Sequence, residues 1–457
     1  MKWANLLNTN RPRPSTMDPD HRAEFERDFD RSIFSTPVKR LQDKAQVFPL
    51  DPHDAVRTRL THSLEVSAVA RGLAISVGKW LLNKKDIKPG TERQIEAIAG
   101  TCGIIHDLGN PPFGHVGEEA IREWFEKRIG IETLRKQFAG DEQRVQDLMK
   151  FEGNSQTLRL VSKLQILADF NGLNLTFGTL STARKYIARA DEADKQHVDH
   201  GKSKPGFFAS ENKLIERVEQ ETGTAGVRNP ITYLVEAADD MVYLVADIED
   251  GIKKGIVTWK QIDDALRGTD VDDKSAKAVF DMKDRILKPA VTKDLPDDVH
   301  GAAFRTAAIG VLVPDAVDTF KKHYDDIMMG KYTGELVLGG NHQSLIRLFK
   351  KLGHTVIYCT PPNLKLELMG RKIIQDLMDL FWDGASYLPT KGTIKTDSYK
   401  GRIAALFSRN YRDVFRNSVE TQPEVPELYH RYQLVTDYVC GMTDTFARRL
   451  HRELTNA

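Results

Sequence analysis

Apolar residues recur along most of this chain at three- and four-residue steps, the period of α-helices with one buried face, and strand-type alternation is rare. His62, Val66, Val69 and Leu73 form one such stripe, and Ile95, Ile98, Cys102 and His106 form another, with Gly109 placed to end the second helix. Asp239, Tyr243 and Asp247 step by four along an otherwise apolar run. Helix-periodic runs also cover residues 363–384 and 429–454, and a first helix is expected near 22–31 after a polar, extended arm. Residues 191–206 are charged and bear Gly and Pro, so they read as a loop, while 252–300 reads as amphipathic surface helices. One segment, 353–360, fits a short β-strand. With no solenoid-period repeat and no flexible linker, the pattern predicts an all-α, predominantly helical fold with at most a few short strands.

The helical stripes carry polar groups where apolar ones belong. Imidazole and carboxylate on buried helix faces are costly unless something satisfies them. A single buried histidine is more often a satisfied core residue, and a helix-terminal Asp before Leu-Gly is usually solvated. Together, however, His62, His106, Asp107 and Asp239 offer two imidazoles and two carboxylates, a mixed N/O set suited to Mn, Fe, Mg or Zn. Beyond His106, the run GNPPFGHVGE combines two prolines with three glycines, which predicts a rigid turn presenting His115 and Glu118. A carboxylate beside a histidine orients the ring and raises its pKa, a natural acid–base pair.

Composition narrows the partners. Across 457 residues, 66 Lys and Arg balance 65 Asp and Glu, so no global field draws the protein to nucleic acid or a membrane. A polyanionic substrate would need positive charge supplied locally. Three scattered cysteines and the lack of any run near the ~18 apolar residues of a membrane span predict a soluble, cytoplasmic protein.

Five segments, residues 40–66, HDLGNPPFGHVGE at 106–118, FEGNSQ at 151–156, EAADDMVYLVADIEDG at 236–251 and DYVCGMTDTFA at 437–447, closely resemble the bacterial deoxyguanosinetriphosphate triphosphohydrolases of the HD phosphohydrolase superfamily. Ala45 departs from the family's usual Thr, which predicts a mild packing change. The resemblance implies an N-terminal arm and first helices over 1–54 that contribute to the active site, an HD core over 55–255, and a C-terminal helical region over 256–457 packed on that core, with an HD-associated segment near 305–400. It implies metal ligation by His62, His106, Asp107 and Asp239, and a catalytic pair of His115 and Glu118. Phosphate contacts would come from Arg59, Asn154, Lys185, Tyr186 and Lys204, sugar contacts from Gln46, Tyr243 and Asp247, and base contacts from Val47 and Glu367. The implied reaction is hydrolysis of dGTP to deoxyguanosine and inorganic triphosphate, with Mn²⁺ or Mg²⁺ as cofactor, in a homo-oligomer, often a hexamer.

Alternatives remain at the level of sequence. Other HD enzymes release monophosphate or pyrophosphate, and a broader dNTPase could respond to nucleotides or single-stranded DNA, although no basic run interleaved with aromatics marks a DNA site. A di-iron HD oxygenase would need a further histidine cluster, yet His197, His200, His323, His342 and His354 lie in unrelated contexts. A non-catalytic sensor would predict a degraded ligand set, and all four candidates are intact.

Overall fold

The computed structural model describes residues 1–15, 22–50, 56–165, 169–289 and 294–455. Residues 51–55, part of the first family-like segment, and the expected 54/55 boundary lie outside the described residues. The helices that position the site are α1 (Glu24–Ile33), α2 (Arg59–Lys84), α3 (Thr91–Ile105), α4 (His115–Trp124), α5 (Gly153–Arg159), α6 (Pro230–Lys253), α7 (Asp297–Lys322), α8 (Pro361–Tyr387), α9 (Glu427–Cys440) and α10 (Asp444–Thr455). No sheet forms among the described residues; two isolated bridges, Ala45–Thr58 and Ala188–Pro205, are the β pairing there. The fold is all-α, as the periodicity predicts. No helix of the described residues is long and apolar enough to cross a membrane.

Local chemistry explains where the central helices begin. Thr58 caps α2 by accepting from the Thr61 backbone, and Thr61 returns the bond to the Thr58 N–H at 3.1 Å. Asn229 caps α6 by accepting from the Ile231 N–H at 3.0 Å, and Pro230 presets the first turn. Small residues bring α2 and α3 together. A Cβ on Gly103 would fall 2.6 Å from the Ser67 Cα, and the Ser67 hydroxyl donates to the Gly100 carbonyl at 2.8 Å.

Two large apolar clusters flank the site. The first joins α2, α3, α6 and α7 through residues such as Val66, Leu73, Ile98, Val245 and Phe304. It runs from Trp3 to Ile357, so packing is continuous across the expected boundary at 255/256. The second joins α4, α8 and α9 through Ile121, Leu377 and Val435. Arg159 at the end of α5 bonds Asp437 on α9 through both carboxylate oxygens, and Gln156 donates to the same Asp at 2.9 Å.

Two sequence expectations are corrected and one is refined. Residues 353–357 form a π-helical turn continuing the preceding helix, not a strand: Tyr358 N–H bonds the Gly353 carbonyl at 3.0 Å. The 429–454 run is two helices, broken between Cys440 and Asp444. Gly109 does not end α3, which stops at Ile105; its value is close approach, because a Cβ there would lie 2.6 Å from the Gln156 carbonyl carbon.

Candidate active site

A cavity of about 390 Å³ opens where residues of both clusters meet, with Cys102 and Val235 from one and Phe113 from the other on its wall. Of the sixteen candidate site residues, fourteen line it; His62 lies just behind the wall, and Asp247 is the other exception.

The two histidines converge because α2 and α3 pack so closely. Their rings lie 5.4 Å apart. His106 sits just past the last turn of α3, where its Nδ1–H donates to the Gly103 carbonyl at 2.8 Å. That bond fixes the Nδ1 proton and leaves Nε2 as the position that takes either a second proton or a cation. Nε2 is buried without a hydrogen-bond partner and faces Asp239 Oδ1 at 3.4 Å and Asp107 Oδ2 at 3.6 Å. His62 Nε2 meets the same Asp239 oxygen at 3.2 Å. Ligand atoms of His62, His106 and Asp107 all lie within 4.8 Å of one another. These separations resemble the roughly 3.4 Å edge of a tetrahedron with about 2.1 Å metal bonds. The residues therefore fit a divalent cation.

Nearby charges are arranged for the same end. Arg59 donates to Asp107 Oδ2 at 2.5 Å, Asn110 to its other oxygen at 2.6 Å, and Lys185 to Asp239 Oδ2 at 3.3 Å. Burial opposes ionising Asp107, but Arg59 and His106 outweigh it and bring its pKa to about 2. Asp239 is likewise held well below the carboxylate range, against burial, by His106 and Lys185. Burial also opposes charging His106, yet Asp107 and Asp239 raise it to about 9. Protons and a cation thus compete for one set of lone pairs.

His115 differs from its sequence expectation. It opens α4, so His115 and Glu118 are neighbours on a helix's first turn. The turn before it is tight: Phe113 has φ +63° and Gly114 φ +60°, and a Cβ on Gly114 would lie 2.7 Å from the Arg59 guanidinium. Asp444 at the start of α10 holds this turn, accepting from the Phe113 and Ala45 N–H groups at 3.0 Å each. Both Ala45 links, to Asp444 and to Thr58, are made by backbone. The Ala45 side chain is not needed for either. Buried Lys44 adds a third tie, donating to the carbonyls of Asn110 and Cys440 at 2.6 and 2.7 Å.

His115 Nδ1 lies 3.3 Å from Glu118 Oε2, and this bond raises the histidine pKa. Its side chain is 74% accessible, at the cavity mouth, while Glu118 is buried and receives the Gly153 N–H at 2.7 Å. Glu152 couples the next two groups: Asn154 donates to one of its oxygens at 2.8 Å and Lys204 approaches the other at 3.2 Å. Lys204 also lies 5.5 Å from the Tyr186 ring.

At the far end, Tyr243 stacks on Tyr358 with centroids 6.4 Å apart. Tyr358 donates to Asp247 at 2.5 Å, so the Asp247 carboxylate is engaged behind the wall and not presented on it. Burial, with Asp250 and Asp239 adding to it, pushes the Asp247 pKa up to about 8 even after the Tyr358 hydrogen bond lowers it. Gln46 has a buried amide oxygen without a partner, and Asn363 donates to Glu367 at 3.2 Å. Tyr358, Asn363, Glu152 and Asn110 were not singled out from the sequence. Tyr358 fell in the segment read as a strand, and Glu152 stood inside FEGNSQ without an assigned role.

The cavity wall carries seven carboxylates (Asp107, Glu118, Glu152, Glu236, Asp239, Asp240, Glu367) and three strong cations (Arg59, Lys185, Lys204). The all-helical fold and this cluster define a metal-dependent phosphohydrolase of the HD class, and the HD domain family matches residues 59–169. The comparison extends over the whole chain. It is 36% identical to a deoxyguanosinetriphosphate triphosphohydrolase-like protein of Listeria innocua, with 99% of each chain covered. It is 30% identical to a deoxyguanosinetriphosphate triphosphohydrolase of Yersinia enterocolitica (97% and 96% covered) and to a triphosphohydrolase-like protein of Synechocystis (99% of each). The chain belongs to the deoxyguanosinetriphosphate triphosphohydrolase family.

Proposed function

We propose that the protein hydrolyses deoxynucleoside triphosphates, dGTP foremost, to the nucleoside and intact inorganic triphosphate. The observation that carries this reading is one cavity joining the His62–His106–Asp107–Asp239 cluster to the His115–Glu118 pair and to Arg59, Lys185 and Lys204. A bound Mn²⁺ or Mg²⁺ would supply Lewis acidity at a phosphoryl oxygen and offset the excess of wall carboxylates. Arg59, Lys185, Tyr186, Lys204 and Asn154 hold the triphosphate, and Glu152 keeps the last two in register. With water attacking the α-phosphorus and the 5′-oxygen leaving, His115 moves the proton at one of those two oxygens, and Glu118 orients its ring. Gln46 accepts from a sugar hydroxyl, Tyr243 fills the space a 2′-hydroxyl would need, and Asp247 acts through Tyr358. Glu367, steadied by Asn363, accepts from the guanine Watson–Crick edge, with Val47 packed beside the base.

The test is incubation with each of the four dNTPs and Mn²⁺, with products read by phosphorus NMR. Triphosphate and nucleoside are expected, fastest from dGTP; pyrophosphate or monophosphate would overturn the reaction assigned. His115→Ala is expected to keep cation and nucleotide binding and lose turnover, and retained turnover would remove His115 from the mechanism.

A further inference from the structure

A second group of ligand-type side chains lies one helical turn before Asp239. His200 Nε2 is 3.6 Å from Glu236 Oε1 and 3.7 Å from Glu335 Oε1, and the three ligand atoms lie within 4.8 Å of one another. They come from three separate parts of the chain: the short turn His200–Lys202, helix α6, and the loop around Glu335. The separations exceed hydrogen-bond length, but they are close to the roughly 3.4 Å ligand–ligand edge expected around a tetrahedral ion. In this they match the His62–His106 cluster.

The scaffold holds the three groups in place. The His200 N–H donates to the Thr333 carbonyl at 3.0 Å, and Arg228 donates to the Gly334 carbonyl at 3.1 Å. Arg228 also donates to Glu236 Oε2 at 2.8 Å, which grips that carboxylate by one oxygen only. The other, Oε1, is buried with no hydrogen-bond partner, in a residue only 3% exposed. A buried carboxylate oxygen left this way is costly, and it points at His200 and Glu335. The His200 and Glu335 side chains are 35% and 15% accessible, so a cation can enter from solvent.

We propose that His200, Glu236 and Glu335 form a second divalent-cation site, of the one-imidazole, two-carboxylate kind that Mn²⁺ or Zn²⁺ takes, distinct from the His62 cluster. The site ties three segments together. Its histidine stands between Tyr186 and Lys204 on a strap pinned by Ile187 N–H to the Gly201 carbonyl at 2.8 Å and Gly206 N–H to the Ala188 carbonyl at 2.9 Å. A cation here fixes that strap to α6, and with it the position of Lys204 over the cavity. This consequence rests on the phosphate role proposed for Lys204; the site itself does not.

Mn²⁺ binding to the purified full-length protein, counted by electron paramagnetic resonance, tests the proposal, together with anomalous diffraction from Mn²⁺-soaked crystals. Wild type is expected to bind two ions per chain, and His200→Ala and the near-isosteric Glu335→Gln one fewer each. The anomalous peak between His200, Glu236 and Glu335 should vanish in both variants while the His62 peak remains. Equal thermal midpoints in chelator confirm that the variants are folded. Unchanged stoichiometry in both variants, or a wild-type map with density only at the His62 cluster, overturns the site. Asp239→Ala separates the two readings, since it should remove only the His62 ion. If it removes none while His200→Ala does, the catalytic assignment fails and this one stands.

Discussion

Adding one methyl group at Gly109 should cripple the protein, whereas the same change at Gly72 should help it. At Gly109 the new Cβ would lie 2.6 Å from the Gln156 carbonyl carbon and closer still to Thr157 N and Gly153 O, all backbone atoms of α5. Ordinary carbon contacts need about 3.5 Å, so α5 and the segment after α3 must part by about 1 Å. Overpacking of this kind costs about 1–3 kcal/mol. It also stretches two straps, Gly109 N–H to the Thr157 hydroxyl at 2.8 Å and that hydroxyl to the His106 carbonyl at 3.1 Å, each contributing about 1 kcal/mol. The expected loss for Gly109→Ala is therefore about 3–5 kcal/mol, a large share of a typical total of about 5–15. His106 and Asp107 ride on the displaced segment, so Mn²⁺ affinity should fall about 10–100-fold. A displacement near 1 Å should also lower kcat on the order of 100-fold. At Gly72, inside α2, nothing lies within 4 Å of the added Cβ, and Gly72→Ala should gain roughly 0.5–1 kcal/mol. Urea denaturation, Mn²⁺ titration and turnover read all three quantities. A Gly109→Ala protein with wild-type midpoint and Mn²⁺ affinity would show that this contact does not set the His106–Asp107 position.

Three further outcomes follow from the site. Asp239→Ala should lose the ion shared with His62 and His106, and unchanged metal content at that site would contradict its role as a ligand. Glu118→Gln removes the charge that raises the His115 pKa, so the limb of the kcat/KM profile reporting His115 should move to lower pH; a stationary limb would show that the pair is uncoupled. Asp444→Ala leaves the Phe113 and Ala45 N–H groups without their acceptor and should cost about 2–4 kcal/mol, with kcat falling more than KM rises as the turn before His115 relaxes; denaturation and steady-state kinetics check both.

The helical fold was legible because burial and periodicity leave marks in sequence, and His62, His106 and Asp239 stand out as polar residues at helical steps on apolar runs; the convergence of the four, Asp107 included, was implied by the family resemblance. His115 does line the cavity, but its local setting differs from the turn expected. Two prolines and three glycines signal a turn, and only tertiary contact shows that the turn ends at Gly114 and that His115 begins a helix. The 353–360 segment misled because a short apolar run between turn signals has no period long enough to tell strand from helix. Its true conformation is set by the preceding helix, and it brings Tyr358 onto Asp247. Asp444 and Lys44 could not have been assigned roles in advance. Each acts on backbone groups distant in sequence, and hydrogen bonds to backbone leave no residue pattern at the receiving end.

The clasp made by Asp437 and Asp444 has a consequence for how this catalyst comes into being. A polypeptide cut after α6 would already hold all four proposed ligands together with His115 and Glu118, yet Arg159 would keep only Glu211 and Ser210, and the bend at Phe113 would lack its Asp444 acceptor. On a ribosome, the nascent protein would carry every reactive group long before it could aim them. These last ties arrive only when α9 and α10 pack against Arg159, Ala45 and Phe113, so incomplete or clipped copies would hold the cavity wall less firmly.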